Sequence, residues 1–458
     1  MKKGQVIEGI VKEIVFPNVG LVETQEGPVN VKNVLPGQIV SCRITKKGHG
    51  RAKGQLLSVE QKANEEIASP CPHFDQVTGC GGCLYQTLKY DKQLAIKEEQ
   101  VKRLLSDAGE GMVRDLNAVS YDGISASPEQ FGFRNKMEFS FGDEYKDGPL
   151  ALGMHKRGSF YDVITTDHCQ IVDADYRLIL RTVLDFAAEN KMTYFHRSRL
   201  EGFFRHLLVR KAKGTGEILV GIVTSSEDRD VAMVRLSETL QNLPSEGSAD
   251  NGLTGKIVGI IHIINDSVAD IVRADEMRIL YGQDYFYEKM LGLSFKVTPF
   301  SFFQTNTKGA EVLYQIVRDY CVSCVENDSD KKPTIFDLYS GTGTIAQVLA
   351  PIAEKVVGVE IVEEAVIAAR ENAALNGLDN CEFLAGDVLK VIDSIQEKPD
   401  LIVVDPPRDG IHPKALPKIL DFSVDHIIYI TCKPSSLARD LVIMEHAGYR
   451  MERSAMVD

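Results

Sequence analysis

The chain has no apolar run approaching the length of a membrane span, no HExxH motif, no histidine-rich tract and no internal repeat, and its acids outnumber its bases. Each shortage removes a class of protein. Without a long apolar run there is no candidate transmembrane helix, and the opening MKKGQVIEGIVKEIVF alternates and carries acids, unlike a secretory leader. A cytoplasmic protein without membrane contact is expected. With 52 basic residues against 65 acidic ones the net charge is −13, which excludes a surface uniformly coated with phosphate contacts. Local basic patches remain at Arg43, Lys46, Lys47, Arg51 and Lys53, and at Arg205, Arg210, Lys211 and Lys213. Each reads equally well as an RNA contact or as a solvated face.

What is present is an ordinary globular composition, 44% hydrophobic and 26% charged, in 458 residues, enough for two to four domains. Residues 1–60 alternate at period two with Gly and Pro at the turns, the pattern of a small β-barrel. Helical spacing follows in KYDKQLAIKEEQVKRLLSDAG, with Gly109 as its stop. Residues 128–290 mix strands (FRNKMEFSFGDE, FRHLLVRKAKGTGEILVGIVT) with an amphipathic helix (YRLILRTVLDFAAEN), and 243–252 reads as a polar loop. From about 296, short apolar strands (IFDLYS, KVVGVEI, CEFLAG, DLIVVD, HIIYIT) alternate with helices such as EEAVIAARENAALNG. That alternation predicts a doubly wound, Rossmann-like parallel sheet with ligands at the carboxyl ends of its strands.

Nine cysteines in a reducing compartment are not expected to pair, so ligation, catalysis and burial must account for them. Cys71, Cys80 and Cys83 in CPHFDQVTGCGGC, with Cys169 in TTDHCQIVD, supply four thiolates; spacing leaves zinc and an iron–sulfur cluster both open. Cys42 and Cys381 read as buried fillers, and Cys321 and Cys324 as core and surface thiols. Cys432, directly after HIIYI and ahead of a polar turn, sits where a helix start favours the thiolate; the bland reading is a buried structural cysteine.

In DLYSGTG, Gly341 and Gly343 bring backbone close to a ligand, and Glu360 ends the next strand roughly 20 residues on, where an acid can accept from both ribose hydroxyls. Together they favour an adenosine-type cofactor, although a dehydrogenase shares both. Asp387 in AGDV, after the following strand, reads as a further cofactor contact or as a helix N-cap. Asp405-Pro-Pro-Arg-Asp-Gly makes a stiff wall after a strand, suited to holding a flat group beside a bound cofactor.

Taken in order, DLYSGTGTI, DPPRDG and YITCKPSSLARD resemble the RNA 5-methyluridine methyltransferases, which use S-adenosylmethionine. CPHF, CGGC and the remote HCQI resemble the iron–sulfur branch of that family, which modifies 23S ribosomal RNA, and GQIVSCRITKKGHGRAKGQLLSV resembles the end of a TRAM RNA-binding barrel. The resemblance implies an α/β protein in three parts. These are a TRAM (OB-like) barrel at 1–60, a mixed α/β iron–sulfur domain at 61–92 and 125–295, and a methyltransferase domain at 93–124 and 296–458. It implies Cys432 as the nucleophile and Gln304, Tyr339, Thr344, Glu360, Asp387 and Asp405 on the cofactor side; Thr344 replaces the Asn common there. It implies a 4Fe-4S cluster on Cys71, Cys80, Cys83 and Cys169, although eight residues separate the first two where five are usual. Phe302 and Phe303 are expected in the core, and Arg134, Asn135, Lys136, Arg205 and His206 at the RNA. The expected protein is a monomer whose partner is RNA, ribosomal rather than transfer RNA. The family's proton-abstracting Glu follows an MVDMFP segment; here MVD occupies 456–458, a truncated sequence is the expectation, and no base is assigned. A non-catalytic RNA-binding or assembly factor is the alternative of another class.

Overall fold

Period-two alternation at the start of the chain closes into a five-stranded barrel in the computed structural model of the protein, which describes residues 1–47, 51–107, 119–227, 229–245, 252–268, 272–325, 332–391, 395 and 397–458. Strands β1 (Val6–Val15), β2 (Val19–Thr24), β3 (Gly27–Lys32), β4 (Ile39–Lys46) and β5 (Ala52–Gln61) are ordered β1-β2-β3-β5-β4. Alternate residues point inward, so Val11, Val22, Val29, Val31, Val40, Cys42 and Ile44 form one core, and Cys42 is the expected filler. The outward positions leave Arg43, Lys46, Lys47, Arg51 and Lys53 exposed, with Lys46 opposite Lys53 on β4 and β5. No described helix is long and apolar enough to cross a membrane.

Helix α1 (Tyr90–Asp107) and strand β6 (Ser120–Ser125) follow. Gly109, the expected helix stop, and most of the 243–252 loop lie outside the described residues. A seven-stranded sheet then forms from β7 (Lys136–Asp143), β8 (Leu150–His155), β9 (Val163–Thr165), β10 (Phe204–Lys211), β11 (Glu217–Thr224), β12 (Lys256–Ile264) and β13 (Glu276–Gly282), in the order β13-β12-β11-β10-β7-β8-β9. Helices α2 (Ala174–Glu189) and α3 (Asp230–Gln241) put Ile179, Leu180, Val183, Met233 and Leu236 into one core with Phe139, Leu207 and Val220. Every residue of β10 is buried. This corrects the sequence reading of a basic patch here: Arg205, Arg210 and Lys211, like His206, are interior residues of a central strand, with Arg210 only 1% exposed, and Lys213, past its end, pairs with Glu129 at 2.8 Å. Arg205 lies over the Phe195 ring, 4.2 Å from its centroid, and donates to the Asn265 carbonyl at 2.7 Å. A charge that is stacked and hydrogen-bonded tolerates burial, and period-two reading alone cannot announce it.

The remaining elements are the hairpin β14 (Phe286–Met290) and β15 (Leu293–Val297), α4 (Thr307–Val325), β16 (Thr334–Leu338), α5 (Thr344–Leu349), β17 (Lys355–Glu360), α6 (Glu363–Leu375), β18 (Cys381–Ala385), α7 (Val388–Val391), β19 (Leu401–Val404), α8 (Ala415–Leu420), β20 (His426–Tyr429), α9 (Pro434–His446) and β21 (Arg453–Val457). Five of them form a parallel sheet in the order β18-β17-β16-β19-β20, the doubly wound topology expected from the alternation. The order reverses between β16 and β19, the switch point where such sheets bind ligands. β21 leaves this sheet and pairs in parallel with β6. The chain divides into two compact units. One comprises Met1–Val101, Gln130–Arg210 and Ile218–Gln283, and the other Lys102–Glu129, Lys211–Glu217 and Asp284–Asp458.

Inside the parallel sheet the Phe383 ring fills space that two glycines vacate: a Cβ at Gly343 or Gly358 would come within 2.6 Å of it. Gly358→Ala is therefore expected to cost about 1–3 kcal/mol through overpacking, read as a lower urea midpoint with an unchanged m-value.

Candidate active site

The glycine turn after β16 reverses the chain with three left-handed residues, Tyr339 (φ 67°), Gly341 (φ 53°) and Gly343 (φ 74°). Tyr339 is the one that pays a steric cost, since it carries a Cβ. The turn is fixed by Ser340 N–H to the Val359 carbonyl (3.0 Å) and Gly343 N–H to the Ser340 carbonyl (2.9 Å). Glu360, at the end of β17, grips it: Oε2 accepts from Gly341 N–H at 3.0 Å and Oε1 from Val362 N–H at 2.9 Å. Each oxygen keeps a lone pair for a further donor. Asp387 caps α7 through Leu389 N–H (3.0 Å), so the N-cap reading is realised. Burial, then the charges of Asp387 and Asp440, push the Tyr339 hydroxyl up to about 12.

Beneath this turn lies a group of acids whose pKa values are all pushed up, by burial first. Asp337 is fully buried, and burial first, then the charge of Asp405, raises its carboxyl to about 8 despite an Ala346 N–H bond at 2.9 Å. Burial raises Asp405 to about 6. Tyr314, buried on α4, is pushed up by burial and then by Asp405, and shares a hydrogen bond with Gln304. Thr344 is buried on the first turn of α5. Phe303 is in the core as expected, but Phe302 is not: its ring is 68% exposed, two residues from Gln304. A short apolar pair of this kind cannot reveal which ring turns inward.

β19 and β20 run in parallel register, with Val404 opposite Tyr429, so DPPRDG and the Cys432 loop leave neighbouring strand ends at the same edge. The thiol is exposed, unlike the buried structural cysteine of the bland reading. Asp440 on α9, 1% exposed, holds the two loops together. Its Oδ2 accepts from Ile411 N–H (2.9 Å) and the Tyr429 hydroxyl (2.7 Å), and its Oδ1 from the Arg439 guanidinium (2.7 Å). Arg439 also donates to the Asp409 carbonyl (2.7 Å), and the Ser436 hydroxyl to that of Arg408 (2.6 Å). Tyr314, Asp337 and Asp440 went unassigned in the sequence reading; Asp337 and Asp440 each stand inside a quoted motif, but nothing in the motif marks them as buried.

Cys71, Cys80, Cys83 and Cys169 lie near one another in the first unit. Burial raises Cys169 to about 11 and raises Cys80 and Cys83 as well, and the thiols act on one another electrostatically: Cys71 on all three, Cys83 on Cys80 and on Cys169. Gly82 N–H points at Cys80 Sγ (3.4 Å), the N–H groups of Ile171 and Val172 at Cys169, and the charges of Arg157 and Arg134 at Cys83. Four thiols with N–H donors at Cys80 and Cys169 and arginine charges nearby suit a negatively charged thiolate-held group, although no three of the sulfurs all lie within 4.8 Å of one another. His73, Asp167 and His168 stand beside them but are satisfied without a metal. Asp167 pairs with Arg181, and His73 Nε2 accepts from His168 N–H at 3.1 Å.

The family model for tRNA (Uracil-5-)-methyltransferase matches residues 261–458. Over its whole length the chain is 44% identical to an uncharacterized RNA methyltransferase of Clostridium tetani, covering 95% of that protein. The chain belongs to the RNA uracil-5-methyltransferase family. A second relative, from Caldanaerobacter subterraneus, is 43% identical over the whole chain and 96% of its own length. The crystal structure of a Pyrococcus abyssi tRNA (uracil-54, C5)-methyltransferase in complex with S-adenosyl-L-homocysteine has the same fold, with a TM-score of 0.72 over 95% of this chain and 92% of that one, at 24% identity. The enzyme is therefore an RNA methyltransferase.

Asp337 gives the enzyme a pH signature. The folded state keeps this proton up to about pH 8, whereas an unfolded carboxyl releases it near 4. Folded protein thus binds more protons in between, and stability falls as pH rises. Between pH 6 and 8 the urea midpoint of the wild type should decline more than that of Asp337→Asn, which keeps the acceptor for Ala346 without the charge.

Proposed function

We propose that the enzyme transfers a methyl group from S-adenosylmethionine to carbon 5 of a uridine in 23S ribosomal RNA, through an adduct between Cys432 and carbon 6. The observation that carries this reading is the exposed Cys432 thiol at a strand end beside the Asp405-Pro-Pro wall and in one row with Glu360. Carbon 5 of uracil is a poor nucleophile. Addition of the thiolate at carbon 6 makes the ring an enolate, carbon 5 takes the methyl from the sulfonium, and loss of the carbon 5 proton expels the thiolate. Proton loss is assigned to no residue of this sequence.

In this reading Glu360 accepts from the ribose hydroxyls, Asp387 from the adenine amine, and Gln304, Tyr339, Thr344 and Asp405 complete the cofactor side. The prolines after Asp405 hold the base edge. Cys71, Cys80, Cys83 and Cys169 would hold a 4Fe-4S cluster whose part is structural, since methyl transfer moves no net electrons. The three-part division into TRAM barrel, iron–sulfur domain and methyltransferase domain, and a monomer acting in the cytoplasm, belong to the same proposal. The target base must leave its stack to meet the thiol, so a loop or single strand is the substrate. Transfer RNA is the second reading, favoured by the description of the matching family model; the cysteine quartet together with the N-terminal barrel favours ribosomal RNA.

Cys432→Ala should abolish 5-methyluridine formation while calorimetry shows S-adenosylmethionine binding unchanged, because the cofactor side chains lie on other strand ends. With 5-fluorouracil-containing RNA the wild type should form a denaturant-resistant adduct and the variant none; equal activity of the two would rule out covalent catalysis. Purified without oxygen, the protein should be brown and carry about four iron atoms per chain. Zinc in their place, after expression with ample iron, would reassign the quartet to a structural zinc site.

A further inference from the structure

The turn between β8 and β9, residues 156–162, carries the two most exposed aromatic rings among the described residues, Phe160 at 81% and Tyr161 at 71%. They stand on a stiff support. Lys156 N–H bonds the Asp162 carbonyl (2.8 Å), and the Ser159 hydroxyl accepts from the N–H groups of Tyr161 (3.2 Å) and Asp162 (3.1 Å). The base of the turn is bonded to the cysteine loop, with Arg157 N–H to the Gly79 carbonyl (2.8 Å) and Gly81 N–H to the His155 carbonyl (3.1 Å). The Arg157 side chain clasps the same loop through the carbonyls of Cys80 (3.1 Å) and Cys83 (2.6 Å). Cations flank the rings: Lys156 in the turn, and Arg197, whose charge reaches Tyr161 and His155. The turn has one acid, the half-buried Asp162.

Two adjacent aromatic rings held in water cost hydration free energy, and a rigid turn gives them no core to enter. We propose that this turn is a stacking platform for unpaired RNA bases, braced by the cysteine loop, and that Lys156 and Arg197 meet the adjoining phosphates. The inference rests on RNA being the substrate. It also answers a physical need: a chain of net charge −13 gains little from counterion release, so stacking must supply more of its affinity. A protein surface is the competing occupant, but cations beside the rings fit a phosphate backbone better.

The sequence has no tryptophan, so Phe160→Trp installs a single reporter at the tip. Its emission should be quenched saturably by a short single-stranded RNA of mixed sequence and far less by the matching duplex. By fluorescence anisotropy, Phe160→Ala and Tyr161→Ala should each weaken that RNA about fivefold and the double variant at least tenfold. The slope of log K against log salt should stay unchanged in these variants, while Lys156→Ala should lower it by about one. Metal content and melting temperature of the double variant should match the wild type. A double variant that binds as tightly as the wild type, or a tryptophan that ignores RNA, would overturn the platform and leave the methylation reading standing. Emission that changes with protein concentration alone would make the tip a self-contact and overturn it too. A wild type that binds no RNA would sink both.

Discussion

Parallel pairing of four strands is the constraint on which the site depends. Leu338 is in register with Val359 and with Val404, and Val404 with Tyr429. Parallel hydrogen bonding makes all these strands end at one edge, about 4.8 Å apart. The glycine turn, Glu360, Asp405 and the Cys432 loop therefore issue side by side although some 90 residues separate the first from the last. Three strand spacings, roughly 14 Å, separate the Glu360 end from the Cys432 end. An adenosine at one and a pyrimidine at the other can then be served by one row of loops.

What secures the loops is polar bonding rather than apolar packing. Asp440 satisfies a backbone N–H, a phenol and a guanidinium from three segments. Glu360 does the same for the glycine turn. A buried carboxylate with every neighbour bonded is stiff because losing one partner strands the others. Asp337 extends this logic: its raised pKa favours the neutral carboxyl while it keeps its backbone bond to α5.

Much of this was legible in the sequence, and the limits have physical causes. The barrel followed from period-two alternation that coincides with burial, and the five parallel strands and the glycine turn from short apolar runs punctuated by glycine, since strands covered on both faces are apolar throughout. Cys432 and the cysteine quartet could be singled out because thiols are rare enough to be followed through a sequence. The failures fall on side chains with two faces. Arg205 and Arg210 carry charge yet are buried in a central strand, and for Arg205 the cost is offset by stacking on Phe195 and a hydrogen bond to Asn265 that no linear pattern encodes. Phe302 is apolar yet points to water. Asp440 sits beside an arginine in an unremarkable helix, and only the fold shows that this acid is interior.

The pairing of β6 with β21 bears on how the chain is made. Arg453 and Asp122, which bond across this pair, are 331 residues apart. At ribosomal rates of some 5–20 residues per second, β6 waits on the order of 15–70 s for its partner. During that interval it is an unpaired edge able to accept any other strand. Its sequence, SYDGIS, is short, carries an acid and contains a glycine, all features that discourage mispairing. The segment is thus composed for a long wait on the ribosome as well as for its place in the finished fold.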